Sequence, residues 1–228
     1  MPNIFSMRLM RRLALLVPVL ALGACATQPK AYDYAAFKQA KPATLLVLPP
    51  VNESPDVTAT GSVLAQATMP LAEAGYYVLP VTLVDETLRQ NGVSNPVDAQ
   101  AIAPAKLREV FGADAVLYMT VKSYGSSYKV VSSETAVALT AKLVDIRSGQ
   151  LLWEGAARAS SAENNGNNQG GLVGMLVKAV VNQIVNSSTD ASVRYADIAD
   201  KRLLSAGQKN GLLYGPRSPN YGKDPIVQ

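Results

Sequence analysis

The sequence contains no histidine, one cysteine and one tryptophan in 228 residues. Histidine is the commonest general base and metal ligand near neutral pH. Without it, and with a single thiol, the chain cannot build a serine–histidine or cysteine–histidine nucleophile system. A structural zinc site, which uses cysteine and histidine, is disfavoured for the same reason. The sequence also lacks a Walker motif and a dinucleotide fingerprint, so we expect no cofactor, no metal and no catalytic residue of these kinds.

The N-terminal segment has the composition of a secretory signal. Arg8, Arg11 and Arg12 precede an apolar run over residues 13–24. A basic region followed by a short apolar region that ends in small residues is typical of a signal peptide. The run is too short to cross a bilayer comfortably, because a spanning helix needs about 20 apolar residues. We therefore predict that residues 1–24 are a signal peptide.

The single cysteine stands at the end of this segment. Leu22, Gly23, Ala24 and Cys25 together resemble the bacterial lipobox. That resemblance implies cleavage before Cys25, a diacylglyceryl group on its thiol and an acyl chain such as palmitate on its new amine. More than one chain is needed for stable anchoring. The alternative is an ordinary secretory signal with a chance cysteine at the cleavage point.

The two residues after the cysteine bear on where such a protein is sorted. Ala26 follows Cys25, whereas retention in the inner membrane of enterobacteria typically uses aspartate there. The sequence thus predicts a lipid anchor in the outer membrane and a domain that faces the periplasm. The membrane itself is then the first expected partner.

The charge of the mature chain excludes one class of partner. The formal charge of +4 includes three arginines of the predicted signal, so 18 of the 21 basic residues remain against 17 acidic ones. A near-neutral chain without a basic patch does not indicate nucleic-acid binding. No small-molecule substrate is evident either.

The first half of the mature chain alternates strand and helix patterns, which is typical of an α/β unit. Residues 25–43 show no sustained periodicity and predict a flexible tether, with a short helical turn at 34–39. Thr60 is a candidate helix cap, Gly75 a helix stop, and Pro70 a kink or break. The predicted elements are a strand at 44–48, a loop at 51–60, a helix from Thr60 to Ala74, a strand at 76–79, a helix at 82–90, and a helix at 97–111 that restarts near Pro104 and closes at Gly112.

The second half predicts an antiparallel meander over residues 115–160 and then helices. One strand-like stretch carries alternating residues that share a face: Thr135, Val137, Leu139, Ala141 and Leu143. Trp153 is interpreted as a core residue that faces inward together with Leu151. The predicted parts are strands at 115–123, 128–146 and 151–160, turns at 125–127 and 147–150, a loop at 163–171, and helices at 172–185 and 190–206, the last capped near Ser188 or Thr189. We predict one α/β domain with a mixed sheet over residues 44–216 and an extended tail over 217–228.

Three stretches together resemble known envelope proteins. They are LLVLPPVNES from residue 45, FGADAVLY from residue 111 and LVDIRSGQLLW from residue 143. The arrangement is similar to the amino-terminal domain of TolB and to the curli-secretion lipoprotein CsgG. With the lipobox and the closing LLYGP from residue 212, the whole chain resembles a family of bacterial lipoproteins found in neisserial envelopes. This resemblance implies an accessory lipoprotein with a part in export or assembly, and it marks Tyr214, Gly215 and Pro216 as possible partner-contact residues.

Several residues carry competing interpretations. Asp114 either accepts hydrogen bonds in a helix-to-strand turn, which we favour, or belongs to a site. Asp145 and Gly149 are interpreted as turn residues. Two carboxylate pairs, Asp85 with Glu86 and Glu109 with Asp114, are candidates for hydrolysis of a glycoside, although their spacing does not single them out. The loop at 163–171 and the helix after it either dock a partner or membrane, or are a plain loop before a core helix.

We interpret the protein as a non-catalytic interaction or assembly module of an export or secretion apparatus. Its expected partners are copies of itself or other envelope lipoproteins, contacted through open sheet edges or the last helix. One alternative is an envelope enzyme that acts on peptidoglycan or polysaccharide with carboxylates alone. The other is a ring-forming channel component.

Overall fold

The core of the molecule is one mixed β-sheet with helices on both faces. A computed structural model describes residues 32–129, 132–163 and 191–224. The six helices of these residues are α1 (Ala35–Ala40), α2 (Ala59–Glu73), α3 (Val81–Gln90), α4 (Pro96–Ala101), α5 (Pro104–Phe111) and α6 (Ala191–Leu204). Their strands are β1 (Thr44–Val47), β2 (Val51–Asn52), β3 (Tyr77–Val78), β4 (Ala115–Lys129), β5 (Ser132–Asp145) and β6 (Leu151–Ser160).

The sheet has the order β3-β1-β4-β5-β6, and β2 pairs with β4 beyond the end of β1. β1 is parallel to both β3 and β4, with Leu45 opposite Val78 on one side and Ala115 on the other. β4, β5 and β6 are antiparallel. The predicted fold class is confirmed: an N-terminal βαβα unit is followed by an antiparallel meander in one mixed sheet.

Glycines end two helices where the sequence predicts it. Gly75 follows α2 with φ +98°, and Gly112 caps α5 with φ +66°. These positive angles are strained for residues that carry a Cβ. Pro104 stands at the first turn of α5, where its missing N–H leaves no bond unmade. The predicted restart of the helix near Pro104 is therefore confirmed.

The predicted start of α2 is wrong, and Pro70 does not break the helix. The helix begins at Ala59, and the Thr60 hydroxyl donates to the Pro50 carbonyl rather than capping the helix. Pro70 lies inside α2, which continues to Glu73. A proline near a helix end removes a single backbone bond, and its buried ring contributes to the core. Part of the predicted loop also forms β2, because Val51 and Asn52 pair with Thr120 and Val121 of β4.

The predicted turn at 125–127 is wrong as well. β4 continues through this stretch to Lys129, and Gly125 pairs with Ala136 while adopting φ +121°. The hydroxyls of Ser126 and Thr135 lie 2.7 Å apart across the two strands. The result is a long β4–β5 hairpin. Along β4, the register shifts at Lys122, which is the extra residue of a β-bulge.

The core-facing stripe of β5 is confirmed, because Thr135, Val137, Leu139, Ala141 and Leu143 are all buried. Trp153 is also buried, as predicted, but Leu151 is 40% exposed. The reason is a second bulge: Leu143 pairs with Trp153 while Val144 pairs with Leu151, so Leu152 is the extra residue. An extra residue reverses the inward and outward alternation that a regular strand would keep.

The two sheet faces carry different helices. α2 and α6 pack against each other, and α6 packs on β5 and β6. The opposite face carries α3, α4 and α5 over a second cluster that includes Leu46, Leu48, Leu107, Val116 and Ile146.

Residues 33–43, which the sequence assigns to a tether, hold α1 and lie against the domain. Tyr34 and Phe37 are 5% and 4% exposed and meet edge to face with ring centroids 6.4 Å apart. The described residues from Asp33 onward belong to one compact unit. Burial of two aromatic side chains is sufficient reason for this stretch to pack.

Some predictions fall on residues that the structure does not describe. They are the signal peptide, the lipobox and Cys25, most of the loop at 163–171, the helix at 172–185 and the cap at Ser188 or Thr189. The final helix is described from Ala191 to Leu204. Among the helices described, none is both long enough and apolar enough to pass through a membrane.

Candidate functional site

The C-terminal segment after α6 runs back over the start of the domain. We call residues 205–224 the strap. The Gly215 N–H donates to the Ala74 carbonyl at 2.8 Å, and the Arg217 N–H donates to the Gly75 carbonyl at 3.0 Å. The Arg217 guanidinium donates to the Ala43 carbonyl at 3.1 Å and lies 5.5 Å from the centre of the Tyr77 ring. These bonds fasten the strap beside β3.

Three aromatic side chains also hold the strap through its carbonyls. The Tyr34 hydroxyl donates to Gly211 at 2.6 Å, the Tyr76 hydroxyl to Leu213 at 2.6 Å, and the Trp153 indole to Asn210 at 3.0 Å. Burial raises the pKa of Tyr76, and the nearby Asp224 and Tyr221 raise it further. Tyr76 therefore keeps its proton and stays a donor at any physiological pH.

Two glycines permit the closest approach of the strap to the domain. A Cβ on Gly215 would lie 2.5 Å from the Gly75 carbonyl oxygen, and a Cβ on Gly75 would meet the Ser218 backbone. A Cβ atom essentially never lies this close to an atom to which it is not bonded, so both positions require glycine. From the sequence, Gly75 is predicted only as a helix stop. Its role in packing depends on a segment about 140 residues later and has no local signal.

The predicted partner-contact residues lie together in the strap. Tyr214 is half-buried and its N–H donates to the Asp224 carboxylate at 2.9 Å. Gly215 is buried against Gly75, and Pro216 is exposed. Of the three, Tyr214 borders a cavity, and Gly215 has an evident packing role. Their contact with a partner stays a prediction.

This cavity, which we call the strap cavity, lies between α1 and the strap and has a volume of about 490 Å³. Its wall is largely aromatic and aliphatic, and two lysines of the α1 segment stand at it. The lining residues are Phe37, Lys38, Lys41, Pro42, Leu213, Tyr214, Tyr221, Gly222 and Asp224. Tyr221 is 44% exposed, whereas Asp224 is 8% exposed. Such a cavity can take a ligand that has an apolar body and a charged group.

The cations around the strap cavity have no carboxylate partner within the described part of the chain. The ion pairs found there include neither Lys38 and Lys41 nor Arg217 and Lys223. Lys38 and Lys41 are exposed. The Asp224 carboxylate is buried and accepts a backbone bond from Tyr214. The mouth of the cavity is therefore positively charged.

The carboxylates proposed for hydrolysis serve other bonds. Asp85 pairs with Arg89 at 3.2 Å, and Glu109 pairs with Lys106 at 2.9 Å. Glu86 accepts from Gln90. Asp114 accepts the N–H groups of Ala43 and Thr44 through one oxygen, at 3.0 and 2.9 Å. The structural interpretation of Asp114 is thus confirmed, but its carboxylate fixes the start of β1 beside β4 rather than its own turn.

Asp145 also has the predicted turn role. Its carboxylate accepts the N–H and the hydroxyl of Ser148 at 2.9 and 2.6 Å, and Gly149 adopts φ +71°. Burial acts to raise the pKa of Asp145. The two bonds from Ser148 and the charge of Arg147 outweigh it, so the pKa lies below its ordinary value.

One unusual carboxylate, that of Asp200, is not singled out by the sequence. Asp200 of α6 is fully buried, and neither of its oxygens has a hydrogen-bond partner. Burial raises its pKa to about 8, and the charge of Asp197 adds to the shift. A possible signal was its place in the apolar stripe of the helix, next to Ala196, Ala199 and Leu203. Among the described residues, no group of three acidic side chains is arranged to hold a metal ion.

Strand edges are a further feature of the surface. From Ser123 to Lys129, the outer side of β4 has no strand beside it among the described residues. β6 is likewise an edge, with a described strand on one side only. Unpaired edges expose backbone donors and acceptors that can pair with another chain.

The mixed sheet, the flanking helices and the strap together define a packed α/β domain. The family model described as "Putative lipoprotein GNA1162-like" matches residues 32–217, and the chain belongs to this family. The resemblance drawn from the sequence to neisserial envelope lipoproteins is therefore confirmed.

Two relatives support this assignment. The chain is 51% identical over 203 residues to "Putative lipoprotein NMB1124/NMB1162" of Neisseria meningitidis serogroup B, covering 89% of this chain and 94% of that protein. It is also similar to the crystal structure of lipoprotein GNA1162 from Neisseria meningitidis, with 53% identity and a TM-score of 0.51. That match covers 64% of this chain and 99% of the crystallised one.

Proposed function

We propose that this lipoprotein is a non-catalytic interaction module of the outer membrane. Lipid on Cys25 holds it there, and its domain faces the periplasm. In this role it positions copies of itself or other envelope lipoproteins within an export or secretion apparatus. Family membership supports the lipid anchor, because the matched family is one of lipoproteins.

The observation that carries the interaction role is the exposed sheet edge of the β4–β5 hairpin. β1 and β2 cover β4 only as far as Val121, while β4 continues to Lys129. No strand of the described residues lies on the outer side of residues 125–129, which supports pairing of this stretch with a strand from another chain. The bulge at Lys122, whose amine pairs with Glu53 at 2.7 Å, separates this stretch from the covered part of β4. Charged residues and bulges at a sheet edge restrict which strands can pair with it.

Site-specific photo-crosslinking in cells tests this role directly. A photoreactive phenylalanine analogue would replace Ser127 on the β4 edge, or Ala156 on the β6 edge. Both residues are exposed. The matched control position is Thr82, which is exposed on α3. We expect discrete adducts with envelope proteins or with a second copy from an edge position and none from position 82.

The outcomes separate the proposal from its alternatives. Absence of adducts at both edges, with normal protein levels, would contradict the edge as an interaction surface. Adducts of equal yield at position 82 would show that the crosslinks are non-specific, which also counts against it. Fractionation of the same cells on a density gradient reports whether the protein lies with the outer membrane.

A further inference from the structure

We propose that the face carrying the strap cavity docks on the bilayer, where the cavity receives the phosphate of an anionic phospholipid headgroup. The proposal rests on the proposed anchorage at Cys25. It names a second contact with the membrane, made by the folded domain rather than by the acyl chains.

Chain length brings this face of the domain to the membrane. Seven residues lie between Cys25 and Asp33, so eight residue-to-residue steps join the anchored end to the start of the folded domain. Even when fully extended, such a segment spans at most about 29 Å. A domain of this size is about 40 Å across, as its expected radius of gyration indicates. α1 follows the segment directly, so the surface that carries α1 and the strap cavity is held near the bilayer.

The chemistry of the strap cavity fits a lipid headgroup. Lys38 and Lys41 are exposed beside it and have no carboxylate partner among the described residues. Long lysine side chains bury their stems along apolar surface and extend the amine to phosphate. Tyrosine prefers the boundary between apolar chains and water, and Tyr221 is 44% exposed at the cavity.

The neighbouring charges favour an anion over a cation. Asp224 is the acidic side chain that lines the cavity, and its carboxylate is buried and bonded to the Tyr214 N–H. Arg217 and Lys223 add positive charge next to the wall, since Arg217 donates to Ala43 and Lys223 precedes Asp224. A cation that approached the cavity would be repelled by Lys38 and Lys41, and the Asp224 carboxylate already accepts the Tyr214 N–H.

Vesicle flotation tests the proposal without the lipid anchor. The protein is the mature chain from residue 25 with Cys25→Ser, so that neither the signal nor acyl chains contribute. The vesicles are phosphatidylcholine alone, or phosphatidylcholine mixed with phosphatidylglycerol. We expect flotation with the mixed vesicles only, weakening as salt is raised.

The paired variants identify the surface responsible. Lys38→Gln with Lys41→Gln should lower partitioning about 25-fold, since each lysine near an anionic surface contributes roughly fivefold. The control is Lys106→Gln with Lys122→Gln. It also removes two positive charges, but from lysines that form ion pairs with Glu109 and Glu53. Tyr221→Ser should also weaken binding, and thermal melts of all variants show whether they are folded.

Each outcome supports or overturns the proposal. Loss of flotation in the Lys38/Lys41 variant, with the control unchanged, supports it. Equal loss in both variants would mean that net charge alone attracts the protein to the vesicles, which contradicts a specific site. If the parent chain did not float, the strap cavity would not be a lipid-binding site. The mass of the mature protein from cells reports acylation of Cys25 separately, so failure of the anchor and failure of the cavity are distinguishable.

Discussion

A carboxylate buried without a partner is the most consequential single residue of the described chain. Charged groups out of contact with water are costly, and Asp200 avoids that cost by remaining protonated. Its side chain faces the interior with the apolar residues of α6, which pack on α2, β5 and β6. Asp197 is the charged neighbour that acts on it, and that carboxylate is itself paired with Lys201 at 2.9 Å.

This arrangement predicts a pH dependence with a definite sign. The pKa of Asp200 is about 8 in the folded state against an ordinary 3.8, so the folded state holds a proton that the unfolded state releases between these values. The stability from this group is fully present below about pH 4, declines as pH rises, and is gone above about pH 8. The slope is at most about 1.4 kcal/mol per pH unit.

Replacing Asp200 with asparagine checks this expectation. Asp200→Asn removes the titration and should flatten the dependence of melting temperature on pH between 5 and 9. The variant should exceed the parent most clearly at the alkaline end. Asp197→Asn, on the exposed side of the helix, is the control and should keep most of the slope. Parallel curves for parent and Asp200→Asn would contradict a raised pKa.

At the scale of elements, the packing of the strap against the end of α2 leaves no room for a side chain at Gly215. Gly215→Ala places a Cβ against the Gly75 carbonyl, so either the strap or the end of α2 must shift. We expect a loss of about 1–3 kcal/mol in the free energy of unfolding, as for other overpacked sites. Chemical denaturation monitored by circular dichroism measures it.

A second glycine provides the matched control for this substitution. Gly61 lies in α2 with open space around its Cα. Gly61→Ala should therefore raise stability by about 0.5–1 kcal/mol, because alanine favours helix more than glycine does. If both alanine variants changed stability in the same direction, packing at the strap would not be the cause.

Local signals in the sequence explain which elements were predictable. Gly75, Gly112 and Pro104 act on their own backbone, and the helix boundaries that they set match the prediction. Gly125 carries the same kind of signal but lies within β4, because pairing with β5 outweighs the preference of a Gly-Ser-Ser stretch for a turn. The bulge at Leu152 likewise depends on a neighbouring strand.

The site was less predictable than the fold because its parts come from distant segments. Tyr214 was identified through the resemblance of the tail to a family, and it borders the strap cavity. Lys38 and Lys41 lie in a stretch with no helical periodicity, and Asp200 appears as one acidic residue among several. Only the folded chain brings α1 beside the strap, so local pattern alone could not indicate the cavity.

For the whole molecule, we expect the proposed lipid anchor to determine where the protein is located. Cys25→Ser removes the thiol that would carry the diacylglyceryl group, and we expect the protein to leave the membrane fraction of cells. Several buried acyl chains hold a protein far more firmly than a docking face does. Immunoblotting of membrane and soluble fractions measures the change.

A second substitution tests sorting rather than anchoring. Ala26→Asp supplies the residue that typically retains lipoproteins in the inner membrane of enterobacteria, so in such a host the variant should move there with its acylation intact. Because the strap cavity is also proposed to bind anionic bilayers, the membranes are washed at high salt, and unchanged distribution of Cys25→Ser after that wash would contradict lipidation. An Ala26→Asp variant that stayed in the outer membrane would contradict only the sorting rule.

The strap ties the last residues of the domain to the first. Tyr34 bonds to Gly211 across 177 positions, and Arg217 bonds to Ala43 across 174. Closing loops of this length is slow, because distant segments must meet before any contact rewards them. A ribosome makes α1 before the strap. The Ala40 carbonyl can accept from Arg147 earlier, but the bonds of Tyr34 and Ala43 to the strap form only when the strap arrives. The fold is therefore complete only once the strap has been made, and such late closure suits the export of an unfolded chain that the proposed anchor at Cys25 requires.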